Sequence, residues 1–450
     1  MRYSKQAMWT RVFLFLLVTA LCRAQDVNGR LEQLIQSQVT DHKFMGSVLL
    51  AKGDTVILSK GYGSANLEWD IPNTPTTKFR LGSITKQFTA ACVLLLEERG
   101  KWKVSDPVKK YLPDAPAAWD KITIFHLLTH TSGIPSFTGF PDYADSEAKS
   151  TTPMELVKRF RDKPLEFEPG TKWNYSNSGY VLLGYLLEKV SGQSYQEFVQ
   201  QNIFTPLGMK DSGYDSNTAI IHHRASGYTP STKGGIVNAG FINMTVPFSA
   251  GALYSTTEDL MKWERGLFGG KLLSSASLKE MTTPFKQNYA FGLAVSSVNG
   301  RKKIDHGGGI EGFNTELAYW PDDQLTVVVL GNLNGNAPDQ IAAQLAATIH
   351  GEKVVLPSER KEITLSPDVL ASYVGTYELA PNVDLKIMLE GDRLETQLTG
   401  QPKFPIFAET STLFFLKVVD AQLEFGKDTS GKVTQVTLHQ NGREIVCKKK

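Results

Sequence analysis

The sequence predicts an α/β protein of the α+β type. It should hold an antiparallel sheet flanked by helices, a helical subdomain inserted into it, and a small C-terminal all-β, barrel-like domain. Three observations predict this. Strand-like runs open and close the first part of the chain, with mainly helical periodicity between them. A polar stretch interrupted by Pro357 follows a helix that stops at Gly351. Beyond it, short alternating runs are punctuated by Gly, Asn and Asp.

Taken in order, the first element is a terminal leader. Arg2, Lys5 and Arg11 precede an apolar run from Val12 to Leu21, and Cys22-Arg23-Ala24 presents small residues where a signal peptidase reads. Residues 1–24 therefore read as a signal peptide, too short to span a membrane, which predicts a secreted or periplasmic protein. Leu21 stands where a lipoprotein signal needs a small residue, which argues against anchoring at Cys22.

Next, Leu31, Leu34, Ile35 and Val39 share one face of a helix over Asn28 to Val39. Ser47 to Ala51 and Thr55 to Ser59 form a hairpin around Lys52-Gly53-Asp54. Helices are expected at Ser83 to Glu98, Pro153 to Asp162, Tyr180 to Val190, Tyr195 to Ile203 and Glu258 to Leu267. Strands follow at Tyr289 to Val298, around Ile304, at Asn314 to Tyr319 and at Thr326 to Leu330. A helix from Asp339 to His350 closes this unit, residues 25–351. Residues 352–366 read as a linker, and 367–450 as the β domain. There Leu385 to Leu389 and Leu394 to Leu398 pair around Glu390-Gly391-Asp392, and Leu413 to Val419, Ala421 to Phe425 and Val433 to His439 continue the pattern, with a turn at Gln440 to Gly442.

Composition narrows the function. The 450 residues are 41% hydrophobic and 21% charged, an ordinary globular balance. Without the leader, 44 basic residues face 46 acidic ones, so nothing calls for nucleic acid or an anionic membrane as partner. Cys92 and Cys447 remain, in different domains, and make no disulfide framework; Cys92 sits in an apolar helix as a small hydrophobe. His126 and His130 have helical spacing but lack the Glu of a zinc-protease motif, and His222-His223 diverge on any regular element. No metal site and no cofactor is expected.

The informative segment is Phe79-Arg80-Leu81-Gly82-Ser83-Ile84-Thr85-Lys86. Three residues along a helix, Lys86 lies on the same face as Ser83, and a buried lysine can lose its charge and act as the base a serine hydroxyl needs. Ser-x-x-Lys also occurs at Ser146/Lys149 and Ser358/Lys361, in polar stretches; only Ser83 opens a long apolar helix. Taken alone, Ser83 also reads as a helix cap beside a solvated lysine. Tyr175-Ser176-Asn177 is the one Tyr-x-Asn, pairing a phenol that can move protons with an amide that can hold a carbonyl. His306-Gly307-Gly308-Gly309 is the one His-x-Gly, expected in a strand-turn context, where bare backbone lets a substrate lie close.

In this order the three elements resemble the active-site boxes of the penicillin-recognising serine hydrolases. That superfamily includes class C β-lactamases, D-Ala-D-Ala carboxypeptidases, D-aminopeptidases and β-lactamase-fold esterases. The resemblance covers about Leu31 to Gly351 and is supported by His126 to Gly133, Pro206 to Met209 and Gly308 to Phe313. Tyr373-Val374-Gly375-Thr376-Tyr377 resembles the lipocalin-like domains appended to such hydrolases. The resemblance implies a β-lactamase/transpeptidase-like fold. Ser83 would be the nucleophile, Lys86 and Tyr175 the proton carriers, and Asn177 the group that binds the substrate amide. Ser83 and Gly309 N–H groups would form the oxyanion hole, with Gly308 beside them. His306 would take the third-box cation position, donating to Tyr175 or to a substrate carboxylate.

The third box departs from the Lys-Thr-Gly of β-lactamases, and a neutral histidine attracts a carboxylate less than lysine does. Peptidase or esterase activity is therefore expected ahead of true class C-type β-lactamase activity. The expected substrate is a small molecule or peptide: a D-amino-acid peptide (peptidoglycan-derived ones included), a short-chain ester or a β-lactam. An α/β-hydrolase is excluded because no Gly-x-Ser-x-Gly occurs. Two non-catalytic alternatives are a penicillin-binding protein acting as a sensor, which would be expected to keep a transmembrane segment after signal cleavage, and an interaction protein in which the β module works and the hydrolase fold is relict. The complete set of three boxes speaks against the second.

Overall fold

A computed structural model describes residues 27–419, 421–440 and 443–450. The signal peptide expected at residues 1–24 lies outside these residues, as does part of the turn expected at Gln440 to Gly442. Among the described residues no helix is long and apolar enough to cross a membrane. Contacts divide the chain into two compact units, one ending at Ala346 and the other running from Ala347 to Lys450.

In the first unit, strands β1 (Gly46–Lys52), β2 (Thr55–Tyr62), β3 (Ala294–Val298), β4 (Arg301–Ile310), β5 (Phe313–Trp320) and β6 (Leu325–Gly331) form one antiparallel sheet in the order β3-β4-β5-β6-β1-β2. The two ends of the unit thus meet along the β6–β1 ladder, from Gly46↔Gly331 to Lys52↔Leu325. All of β6 and all of β1 but Lys52 are buried, which explains their unbroken apolar runs.

Helix α1 spans residues 27–40, α2 Thr85–Glu98, α3 Asn177–Ser191, α4 Thr257–Phe268 and α5 Ala337–Ile349. Helix α2 is buried continuously from Thr85 to Leu96, as a helix apolar on every side must be, and packs on α3 and the short helix Phe248–Gly251. Amphipathic α4 lays Leu260, Trp263 and Leu267 inward against β6 and β1. Its Trp263 ring stacks 4.1 Å from Phe88 of α2.

Several boundaries differ from the sequence expectation. Helix α3 begins at Asn177 rather than Tyr180, because Ser176 caps it by accepting the Gly179 N–H at 3.4 Å. The helix at Tyr195 relaxes after Val199 into a wider turn over Gln200–Phe204. The strand expected from Tyr289 starts only at Ala294, since Gln287, Asn288 and Gly292 take positive φ.

In the second unit, after helix α6 (Pro367–Tyr373), eight strands close into an antiparallel barrel: β7 (Gly375–Ala380), β8 (Val383–Glu390), β9 (Arg393–Leu398), β10 (Phe404–Ala408), β11 (Leu413–Phe415), β12 (Ala421–Lys427), β13 (Val433–Gln440) and β14 (Arg443–Lys449). Closure comes from β7 pairing β14 at Tyr377↔Lys449. The strand expected over Leu413 to Val419 stops at Phe415, and β7, β10 and β14 carried too little alternation to be read from sequence. Tyr373, Tyr377, Phe414 and Phe425 fill the interior, as side chains do in small barrels.

Candidate active site

The chain reaches Ser83 through a short strand, Phe79–Arg80, pinned to Leu253–Ser255. A tight turn, Gly82–Ile84, then leads into α2, so Ser83 sits just ahead of the helix rather than on it. Gly82 has φ +53°, and a side chain there would come within 2.9 Å of the Gly309 nitrogen. The turn that carries Ser83 and the strand that carries His306 to Gly309 are therefore in direct contact, which glycine on both sides permits.

Lys86 stands in the first turn of α2, fully buried. Its Nζ donates to Ser83 Oγ at 2.9 Å, Asn177 Oδ1 at 2.9 Å and the Ala250 carbonyl at 2.8 Å. None of these partners is charged, so burial pushes the ammonium well below the ordinary lysine range. The Tyr175 ring lies 4.9 Å from Nζ.

Tyr175 and Asn177 flank the cap of α3. Burial raises the Tyr175 phenol, with its hydrogen bond to Ser83 opposing in part, so it rests protonated. The Asn177 amide is fixed at both ends: Oδ1 takes Lys86, and Nδ2 donates to Thr138 Oγ1 at 3.1 Å. Its own backbone N–H donates to Ser136 Oγ at 3.1 Å.

Sequence reasoning missed His130. Its Nδ1 accepts the Ser176 N–H at 3.1 Å, its carbonyl accepts the Asn174 N–H at 3.0 Å, and its ring packs 4.3 Å from Tyr175. His130 and the α3 cap thus hold the Tyr175 loop. Burial, and then Lys86 and His306, push its imidazole well below the usual histidine range, so it is neutral. Its signal was the phrase His126 to Gly133, where His130 takes the left-handed φ of 57°. His126 caps its own short helix, taking the Thr123 N–H on Nδ1 at 3.2 Å.

The glycine run corrects an expectation. His306 to Gly309 does not turn but continues inside β4, paired with β5 from His306↔Leu317 to Gly309↔Asn314; the turn is Glu311-Gly312. The β3–β4 ladder ends at Ala294↔Asp305, so the outer edge of the glycine run borders a cleft instead of another strand.

His306 also differs from its expected use. Its Nδ1 lies 2.6 Å from the Gly307 carbonyl and so carries the proton, leaving Nε2 to accept from Tyr289 Oη at 2.9 Å. Both nitrogens are engaged, and the expected donation to Tyr175 is absent among the described hydrogen bonds. Burial, then Lys86, lowers its pKa to about 4. Tyr289 is the second group that sequence reasoning missed, because it lies in a stretch read as plain strand.

Two cavities meet at Ser83. The larger, about 700 Å³, is bordered by Tyr175, His306, Asp305, Glu316 and Asp339, with no lysine or arginine in its wall. Lys303 is spent behind that wall, 2.8 Å from Asp305 and 3.4 Å from Glu316. The smaller, about 200 Å³, is bordered by Asn177, Thr138, Tyr143, Ile242 and Glu311.

A hydroxyl, a buried lysine, a tyrosine and an edge strand of glycines have now come together around one serine. The β-lactamase family matches residues 31–351, which contain all of them. The chain belongs to the β-lactamase family. A second match, to a domain of unknown function called DUF3471, covers residues 359–449 and contains the barrel. Among β-lactamase-family relatives, penicillin-binding protein 4* of Bacillus subtilis (strain 168) is 28% identical over 93% of this chain and 98% of its own. An octameric penicillin-binding protein homologue from Pyrococcus abyssi has a similar structure, with TM-score 0.68, 28% identity, and coverage of 93% of this chain and 99% of its own. A D-stereospecific amidohydrolase from Streptomyces sp. matches with TM-score 0.62 and 26% identity over 72% of this chain and 99% of its own.

Proposed function

We propose that this protein is an exported serine hydrolase that opens amide and ester carbonyls through an acyl-enzyme on Ser83, with D-amino-acid amides or esters as preferred substrates. The observation that carries the reading is Lys86. It lies 2.9 Å from Ser83 Oγ, fully buried among uncharged partners, which lowers the cost of losing its proton and lets its amine act as the base for the hydroxyl. The name of the Streptomyces relative supports the D-amino-acid amide class.

Lys86 takes the Ser83 proton as Oγ bonds to the carbonyl carbon. The Ser83 and Gly309 N–H groups receive the oxyanion, each such donor contributing about 3 kcal/mol. As the bond to the leaving amine or alcohol breaks, Tyr175 gives that group a proton and is recharged from Lys86. Water then repeats the sequence and releases the acid. Tyr175 borders only the larger cavity and Asn177 only the smaller, so the leaving group belongs in the first and the acyl group in the second. Neutral His306 and the carboxylates of Asp305 and Asp339 disfavour a leaving group that carries a carboxylate, which supports amides and esters over β-lactams.

Intact-protein mass during reaction with a p-nitrophenyl ester tests this. A transient acyl mass on wild type and none on Ser83→Ala is the expected result. No mass gain and no product from wild type would move a non-catalytic alternative ahead.

A further inference from the structure

The smaller cavity carries one feature that acyl transfer itself does not use. Glu311 opens the two-residue turn between β4 and β5, two residues after the glycine run, and borders the same cavity as Ser83, Asn177 and Gly309. Its Oε2 is withdrawn from solvent and has no hydrogen-bond partner among the described residues. A carboxylate oxygen left dry and unpaired costs free energy that a cation can recover.

The turn that presents it is rigid. Asn334 Oδ1 accepts the Gly312 N–H at 2.8 Å, and Asn334 Nδ2 donates to the Ile310 carbonyl at 3.1 Å. Gly312 sits at φ +79°, and a side chain there would meet Gly227 Cα at 2.4 Å. Neighbouring charge does not satisfy Glu311. Glu147 is a second carboxylate whose pKa is raised by burial and then by Glu311. Arg159 is paired with Asp142 at 3.1 Å. Tyr143, between them, is a neutral phenol that burial raises further.

We propose that Glu311 is a specificity-determining residue that selects acyl groups bearing an ammonium, so that the preferred substrates are amides or esters of amino acids with a free α-amino group. The inference rests on the Ser83 reading above. With the carbonyl carbon at Ser83 and its oxygen at Gly309, the α-substituents enter the smaller cavity, where the only carboxylate in the wall is Glu311. That cavity, about 200 Å³, is below the roughly 300–1,000 Å³ of drug-sized sites and suits a single residue rather than a long acyl peptide.

The test compares D-alanine p-nitroanilide with its N-acetyl derivative, using a neutral p-nitrophenyl ester as reference in each protein. Wild type should favour the free amine by about ten- to a hundredfold in kcat/KM, the range of one charge-assisted pair. In Glu311→Gln that ratio should fall toward one, and Glu311→Asp should keep part of it. A wild type that cleaves the N-acetyl substrate as fast as the free amine overturns the proposal without any variant. A ratio unchanged in Glu311→Gln overturns it as well. Failure of wild type on the neutral ester would instead sink the Ser83 reading, so the two failures are distinct.

Discussion

Replacing Gly308 by alanine probes the contact on which the site depends. The new methyl would stand 1.9 Å from the Leu81 carbonyl oxygen and 2.3 Å from Thr315 Oγ1. These two atoms are themselves joined by a 2.9 Å hydrogen bond that ties β5 to the nucleophile turn. Ordinary carbon contacts lie at about 3.5–4.0 Å, so strand and turn must part by about 1.5 Å. Overpacking costs about 1–3 kcal/mol and the lost hydrogen bond about 1 kcal/mol, or about 2–4 kcal/mol together. A displacement of about 1 Å between nucleophile and oxyanion donors costs about a hundredfold in rate.

The neighbours supply the contrast. At Gly307 the methyl meets the far end of the Glu316 side chain at 3.0 Å and the Thr315 carbonyl oxygen at 3.5 Å, an ordinary contact, and at Gly309 only Asn314 Nδ2 at 3.4 Å. Thermal unfolding of the three alanine variants should therefore order Gly308→Ala far below Gly307→Ala, with Gly309→Ala the mildest. Esterase kcat of Gly308→Ala should fall about a hundredfold or more. A Gly308→Ala protein that melts with wild type and keeps its kcat would refute the claim that this contact sets the oxyanion geometry.

Other perturbations follow from the same geometry. Because burial lowers Lys86, its amine is free at a lower pH than an exposed lysine's. Acylation rate should rise with pH through a midpoint well below 10.5 and then level, and a midpoint at or above 10.5 in single-turnover assays argues against Lys86 as base. Lys86→Arg, which cannot deprotonate, should lose at least about a thousandfold in acylation. Tyr289→Phe removes the hydrogen bond that Nε2 of neutral His306 accepts, one that protonation would break, so the His306 pKa, held at about 4 by burial and Lys86, should move upward in an NMR titration; an unmoved value would disprove the link. Asp215, fully buried, pairs with Arg80 at 2.7 Å and Arg224 at 2.5 Å. Asp215→Asn should cost about 3–5 kcal/mol by urea unfolding, and a loss below about 1 kcal/mol would mean water reaches the arginines.

What could be read in the sequence and what could not divide along a physical line. Ser83, Lys86, Tyr175 and Asn177 were legible because their chemistry is carried by residue type at short spacing, and α2, α4, β1 and β6 because burial imposes period and length on contiguous residues. The run His306 to Gly309 was expected in a strand-turn context; the strand is there, and the turn comes only after Ile310. The run marks a strand edge where Gly308 and Gly309 lie against the backbone of Leu81 and Gly82. His130 and Tyr289 were illegible for a further reason. Each works through a partner far away in sequence, His130 through Ser176 and Tyr289 through His306, and only packing creates the pair.

The same holds for reactivity itself. Ser83 and Lys86 at i and i+3 could as well be a solvated cap and a surface lysine. What separates the two outcomes is desolvation of Lys86 by α2, α3 and the Phe248–Gly251 helix, which lowers the ammonium, while desolvation of the adjacent Tyr175 raises the phenol. One buried environment thus drives two neighbouring groups in opposite directions, as the proposed roles of the lysine as base and the tyrosine as acid require. Any substitution that lets water into that layer should weaken both roles together, even with every motif residue in place.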